Sequence, residues 1–276
     1  ENGTLARYFT ETLKQSGHLS IKDYPAARPS FIEKEAVVRA SLLAREAKAP
    51  LNICHLSSGS AAKELRRIKK EGNIVYAETC PQYLLLSEDI FKGKEGFMAA
   101  SCPPVRKEED RYELWRSIIE GGIDTIGTDH CPFSKAKKSA PGDDFTKIPM
   151  GLPGVETSLP LFYSEGVLNR GIDIKKMVNL MSANPAKIHG LYPQKGSMDE
   201  GTDADIVIFN PSRKGKIKAS SQRSAAGWTP YEKFKITGAV EYTISRGKIV
   251  YEKGEIKGKK GRGKFLKRGL PAYYSV

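Results

Sequence analysis

The chain has 276 residues, enough for one large α/β domain or two smaller ones with a well-buried core. Hydrophobic residues make up 39% and aromatics 9%, which excludes a disordered chain, and no apolar run approaches the ~20 residues of a membrane span. A net charge of +13 raises a nucleic-acid or polyanion ligand, but much of the excess falls after Gly247, where Lys248, Lys253, Lys257, Lys259, Lys260, Arg262, Lys264, Lys267 and Arg268 cluster among glycines with no aromatic ladder or nucleic-acid motif. A solvated tail or a subunit contact is the expected use of that cluster. Cys54, Cys80, Cys102 and Cys131 form no CxxC pair and are expected as reduced, mostly buried thiols of a cytoplasmic protein. The sequence carries no secretory signal and opens on Glu1-Asn2, so it is expected to be part of a longer polypeptide.

Residues 1–20 have helical periodicity, with Leu5, Tyr8, Phe9 and Leu13 on one face. Asp23 to Pro29 reads as a loop. Ser30 and Glu33 have capping-box spacing ahead of a helix to about Ala47, whose predicted inward residues are Ala36, Val37, Ala40, Leu43 and Ala44. Pro50–Ser58 is a predicted strand ending in His55 and two serines, followed by a helix over Ser60–Lys70. Asn73–Cys80 is the next strand, stopped by Pro81. A loop with Ser101-Cys102-Pro103-Pro104 precedes a helix over Glu108–Glu120, and residues 123–129 form a third strand that runs into His130-Cys131-Pro132. This alternation predicts βα units around a parallel sheet.

The 132–153 stretch is a long loop rich in Gly, Pro and charge, of the kind that serves as a lid or binding segment. Helices are expected at about 154–170 and 174–181, then a capped short helix over Ser182–Gly190 with Pro185 in its first turn. Beyond Gly201, residues 204–209, 235–243 and 248–252 read as antiparallel strands separated by Gly turns.

The three predicted parallel strands end in His55, in Glu78-Thr79 and in Asp129-His130, at the end of such sheets where ligands and catalysis sit. Imidazole plus carboxylate suits a divalent transition metal such as zinc, although two residues cannot complete a zinc shell. A turn-capping Asp129 and a structural His55 remain open at this point. His130, next to Asp129 on a strand, would point to the other face, so a hydrogen-bonded strand-end histidine is expected there. Glu78 is expected in a supporting or sheet-capping role. Ser57-Ser58 has no nucleophile elbow around it.

Four motifs, Cys54-His55-Leu56-Ser57-Ser58, Ala77-Glu78-Thr79-Cys80-Pro81-Gln82-Tyr83-Leu84, Gly127-Thr128-Asp129-His130-Cys131-Pro132-Phe133 and Ile148-Pro149-Met150-Gly151-Leu152-Pro153-Gly154-Val155-Glu156, closely resemble those of D-hydantoinases and dihydropyrimidinases, cyclic amidases of the amidohydrolase superfamily. Asn184-Pro185-Ala186-Lys187, Gly201-Thr202-Asp203-Ala204-Asp205 and the late Gly261–Arg268 segment extend the resemblance over essentially the whole chain. It implies the C-terminal half of a (β/α)8 barrel over residues 1–198, a β-sandwich segment over 199–252 and a basic tail over 253–276. It further implies two zinc ions bridged by a carboxylated lysine and a hydroxide. His55 would be a zinc ligand, and Asp129 both a ligand and the proton carrier for opening a hydantoin or dihydropyrimidine ring.

Glu1-Asn2 matches the end of the family's His-Ala-Glu-Asn. The remaining ligands (a His-x-His, the lysine and a histidine) would therefore lie before this chain, and the chain alone is expected to be inactive. Cys102 and Met150 stand at substrate-binding positions where the family commonly has Ser and Asn. Gln82-Tyr83 occupies the place of a His-His pair in dihydroorotases, which argues against dihydroorotate. The alternatives are a non-catalytic dihydropyrimidinase-related scaffold and another cyclic amidase, dihydroorotase- or allantoinase-like. The expected partners are a small cyclic amide or ureide and further copies of the chain in a dimer or tetramer, with no membrane and no nucleic acid.

Overall fold

A computed structural model describes residues 1–271. They form two compact units, one of Glu1–Ser158 with Lys218–Glu232, the other of Leu159–Ile217 with the residues from Lys233 on.

In the first unit, helix α1 (Gly3–Gln15) starts on Asn2, whose Oδ1 accepts from the Thr4 and Leu5 amides at 3.0 and 3.1 Å. The predicted apolar face is only partly used. Ala6 is the buried residue, while Tyr8 is 63% exposed, because the Tyr8, Phe9 and Phe31 rings pack edge-to-face on one another near the surface. The predicted 23–29 loop is instead a capping box at Ser20–Asp23 and a helical turn, α2 (Tyr24–Ala27), with Tyr24 buried and its hydroxyl donating to the Ser101 carbonyl.

The capping box expected at Ser30–Glu33 does not form. Pro29 takes the N-cap position of α3 (Ser30–Glu46), Ser30 Oγ turns to Ser58 and Asp110, and Glu33 turns into the core. The inward face of α3 is therefore Ile32, Glu33, Val37 and Ser41, and the predicted Leu43 is exposed.

Strands β1 (Leu51–Ile53), β2 (Val75–Thr79) and β3 (Thr125–Ile126) make a parallel sheet in that order, with Ile53 beside Ala77 and Thr79 beside Ile126. Helix α4 (Gly59–Lys70) crosses from β1 to β2, capped by Ser58 Oγ, and buries Ala61, Ala62, Leu65 and Ile68. After β2, the short helix α5 (Pro81–Leu85) and then α6 (Glu108–Ile119) lead to β3. Trp115 of α6 donates Nε1–H to the Leu84 carbonyl. At the entry to β3, the buried Asp124 carboxylate accepts from the Ala77 amide at 2.7 Å and pairs with Lys69. The strands are shorter than predicted because the backbone leaves the sheet at both functional ends, with positive φ at His55 and at Asp129. The 132–153 stretch carries one helical turn, α7 (Lys135–Ser139), capped by Ser134.

All four cysteines are free, but only Cys80 is buried. Cys54, Cys102 and Cys131 are exposed, contrary to the expectation of mostly buried thiols. Cys54 and Cys131 lie past the last paired residues of β1 and β3, and Cys102 lies in a loop.

In the second unit, α8 (Ser158–Phe162) continues into a π-helical stretch over Tyr163–Leu168. Helix α9 (Ile174–Val178), a π-helical stretch over Asn179–Ala183 and α10 (Asn184–Ile188) then form one continuous run. The predicted cap at Ser182 is absent. Pro185 has no N–H to give, and the wider turn ahead of it lets the run continue. Strands β4 (Ile206–Lys216), β5 (Lys235–Ser245), β6 (Lys248–Glu252) and β7 (Glu255–Ile256) form one antiparallel sheet in chain order. Its hairpins turn on Arg246-Gly247 and Lys253-Gly254, each pair with positive φ at both residues, as tight two-residue turns require. Among the described residues this is a single antiparallel layer. The basic segment is tied back where Arg262 donates to the Ser245 carbonyl at 2.7 Å and Gly269 N–H to Gly190 at 2.8 Å. No helix among the described residues is long and apolar enough to cross a membrane.

Candidate active site

His55 and Asp129 follow β1 and β3, the two strands that flank β2, and both adopt left-handed backbone, at φ 42° and 45°. Such conformations cost a non-glycine residue energy and concentrate where a side chain must be aimed. Surrounding hydrogen bonds hold both turns. The Leu56 amide donates to the Glu78 carbonyl at 2.7 Å, Thr79 Oγ1 donates to the Leu56 carbonyl at 2.7 Å, and the Gly127 amide donates to the Thr79 carbonyl at 2.9 Å. The ends of β1 and β3 are thus both fastened to the end of β2.

The charges converge on the same place. Desolvation, then the carboxylates of Glu78 and Asp129, raise the pKa of Cys54, the residue before His55. Burial first, then Glu78, Asp129 and Cys54, push the Cys80 thiol well above its ordinary value. The Asp129 carboxylate therefore acts electrostatically on the carboxyl ends of both β1 and β2. Glu78 lies over Gly127, where an added Cβ would come within 2.4 Å of the Glu78 carboxyl carbon. Glycine at 127 is what lets that carboxylate lie across the sheet end.

Beneath His55, Glu33 accepts from the Ser57 amide at 2.7 Å and from the Ser57 hydroxyl, and pairs with Arg106 Nη2 at 3.0 Å. Arg106 also donates Nε–H to Ser57 Oγ at 3.0 Å, donates to the Arg28 carbonyl and pairs with Glu1 at 3.1 Å. Glu33, Ser57 and Arg106 are all buried. Ser57 is thus a structural link two residues from His55, and Ser58 is a helix cap. The Ser-x-x-Glu spacing that suggested a cap at Ser30 had singled out Glu33 for another reason, and nothing in the sequence marked Arg106.

His130 Nδ1 accepts from the Gly154 and Val155 amides at 3.0 and 3.3 Å, which places the proton of the neutral ring on Nε2. It is a hydrogen-bonded strand-end histidine. Residues 130 and 152 pair in parallel, and the Cys131 amide donates to the Leu152 carbonyl at 3.1 Å. One residue earlier, the Gly151 amide donates to the Ala100 carbonyl at 2.9 Å. Cys102 and Met150 therefore lie on two backbone segments joined directly to each other, and through Leu152 to the stretch after Asp129. Cys102 is exposed, with Sγ donating to Glu1 at 3.5 Å, and Met150 is half-buried.

As a metal site the set is partial. The imidazole and carboxylate are donors of the right kind for zinc, but among the described residues no three His, Cys, Asp or Glu side chains stand together in a metal-holding group.

Parallel strands with helical crossovers and polar residues gathered at their carboxyl ends define a βα-type enzyme scaffold. Residues 7–250 match the amidohydrolase family, and the chain belongs to it. A D-phenylhydantoinase from Escherichia coli O1:K1 / APEC is 41% identical over 244 residues, which cover 88% of this chain and 53% of that protein. The dihydropyrimidinase from Brevibacillus agri NCHU1002 superposes with a TM-score of 0.97 at 34% identity, over 99% of this chain and 60% of the other. The L-hydantoinase (dihydropyrimidinase) from Arthrobacter aurescens gives 0.91 at 35% identity, over 97% and 59%. The chain thus spans about half the length of the curated relatives it matches.

Proposed function

We propose that the protein hydrolyses a cyclic amide, opening a hydantoin or dihydropyrimidine ring, with His55 and Asp129 contributing ligands to zinc and Asp129 moving the proton. The observation that carries this reading is the pair of strained strand ends at His55 and Asp129, with the Asp129 carboxylate acting on the end of β1. The names of the similar proteins, D-phenylhydantoinase and dihydropyrimidinase, support this substrate class. The two donors here need partners, which we place in residues outside this chain, a carboxylated lysine among them. These would complete a (β/α)8 barrel whose C-terminal half lies within residues 1–198, and this chain alone would be inactive.

Bound zinc would supply a water of lowered pKa and polarise the ring carbonyl. Asp129, exposed beyond the end of β3, takes the proton of the attacking water and delivers it to the departing ring nitrogen. Backbone groups at Cys102 and Met150 hold the amide edge of the ring, so the changed side chains leave those contacts available. Glu33 and Arg106 keep the His55 turn in place through Ser57. The four free thiols support a reducing, cytoplasmic setting, and assembly into a dimer or tetramer belongs to the same reading.

The test is turnover. The complete protein, including the residues placed outside this chain and supplied with zinc, is assayed against hydantoin, a 5-substituted hydantoin and dihydrouracil by following the ring-opened carbamoyl product. Zinc-dependent ring opening of at least one is expected, and no turnover of any cyclic ureide or imide refutes the reading.

A further inference from the structure

Lys138, on α7, is 0% exposed, and its Nζ meets two main-chain carbonyls and an aromatic ring, with the Cys131 thiol close enough to act on it electrostatically. Nζ donates to the Ala100 carbonyl at 2.7 Å and to the Gly151 carbonyl at 2.8 Å, and lies 5.6 Å from the centre of the Trp228 ring. Trp228 is itself fixed, donating Nε1–H to the Phe133 carbonyl at 2.8 Å. Burying the charged end of a lysine is costly unless polar partners meet it. The two carbonyls it meets are not arbitrary ones. Ala100 is two residues before Cys102, and Gly151 follows Met150.

The Ala100 carbonyl also accepts from the Gly151 amide, so Lys138, Ala100 and Gly151 form a closed knot of three hydrogen bonds. There is no slack in it. A Cβ on Gly151 would sit 2.5 Å from the Cys131 carbonyl oxygen and 2.9 Å from its sulfur, so the 151 backbone is pressed against the stretch after Asp129.

We infer that Lys138 is a positioning residue for substrate, whose Nζ fixes the spacing between the 100–102 and 150–152 backbone segments and so sets the affinity for the ring. The inference rests on the reading that peptide groups at Cys102 and Met150 hold the amide edge of a cyclic ureide or imide. Lys138 touches no substrate atom. It acts by presenting, at a fixed separation, backbone groups that pair with the ring's adjacent N–H and C=O. Because those contacts serve the bound ring and its transition state alike, loosening them raises KM more than it lowers kcat.

The experiment is steady-state kinetics on a cyclic ureide with the complete, zinc-supplied protein, unaltered and as Lys138→Met, Lys138→Gln and, as control, Lys137→Met at the exposed neighbouring position. Lys138→Met keeps a four-atom unbranched stem and removes the Nζ that makes both hydrogen bonds. Its KM is expected to rise roughly tenfold or more, with kcat within about threefold, since each buried carbonyl deprived of a donor is costly. Lys138→Gln, which retains donors on a shorter stem, is expected to fall between, and Lys137→Met to match the unaltered protein. An active Lys138→Met with unchanged KM overturns the inference, as does a fall in kcat alone. Failure of both position-138 variants to fold, seen by circular dichroism and gel filtration, overturns it as well, by making Lys138 a folding contact only. If the unaltered protein opens no cyclic ureide, the functional reading itself fails and takes this inference with it.

Discussion

Replacing Glu33 by Gln tests the network under His55. In the folded protein one carboxylate oxygen accepts from the Ser57 amide, and the other faces two donors, the Ser57 hydroxyl and Arg106 Nη2. An amide can keep the first contact, but its NH2 group would then point at two donors. Glu33 and Arg106 are 3% and 5% exposed, so water cannot take over the lost contacts. Breaking one partner of a buried ion pair costs about 3–5 kcal/mol. Arg106 keeps Glu1 at 3.1 Å, which places the expected loss near the lower end, about 3 kcal/mol. With a urea m-value of about 2 kcal/mol/M, the unfolding midpoint should fall by about 1.5 M. Trp115 and Trp228 report the transition by fluorescence. A shift of less than about 0.3 M would mean that the pair contributes little, and the argument that Ser57 is held from below would be wrong.

Asp124→Ala should destabilise by about 3 kcal/mol or more in the same denaturation assay, because it strips the buried Lys69 ammonium of its carboxylate and the Ala77 amide of an acceptor. Gly151→Ala should cost about 1–3 kcal/mol and raise KM, since the new Cβ meets the Cys131 backbone. Burial lowers the Lys138 pKa to about 7, with Cys131 opposing. The unfolded chain therefore binds the extra proton between that value and the ordinary 10.5, and stability should rise over this window by up to about 1.4 kcal/mol per pH unit. Below pH 7 both states are protonated and this contribution is flat. Lys138→Met should remove the rise, as read from melting temperature against pH.

Some of this was legible in the sequence. The βα alternation located all three parallel strands, and polar residues at each strand end marked one face of one sheet. The Gly turns after residue 245 marked the hairpins, because Arg246-Gly247 and Lys253-Gly254 need positive φ. What was missed depends on contacts between residues far apart in the chain. Glu33 looked like a capping residue because local spacing cannot reveal a Ser57 amide 24 positions away. Lys138 sat among lysines in a charged loop, and only the folded backbone brings the Ala100 and Gly151 carbonyls to it. The thiols were expected to be mostly buried because Cys54, Cys80 and Cys131 fall in or just after predicted strands, but β1 and β3 stop short of Cys54 and Cys131.

The central claim is that His55 and Asp129 grip the same metal. Metal analysis by plasma mass spectrometry, on the complete protein with the residues placed outside this chain, zinc-loaded and gel-filtered, compares the unaltered form with His55→Ala and Asp129→Ala, each confirmed folded by circular dichroism. Bound zinc is predicted in the unaltered protein and a marked loss in each variant. Undiminished zinc in both folded variants would contradict the account.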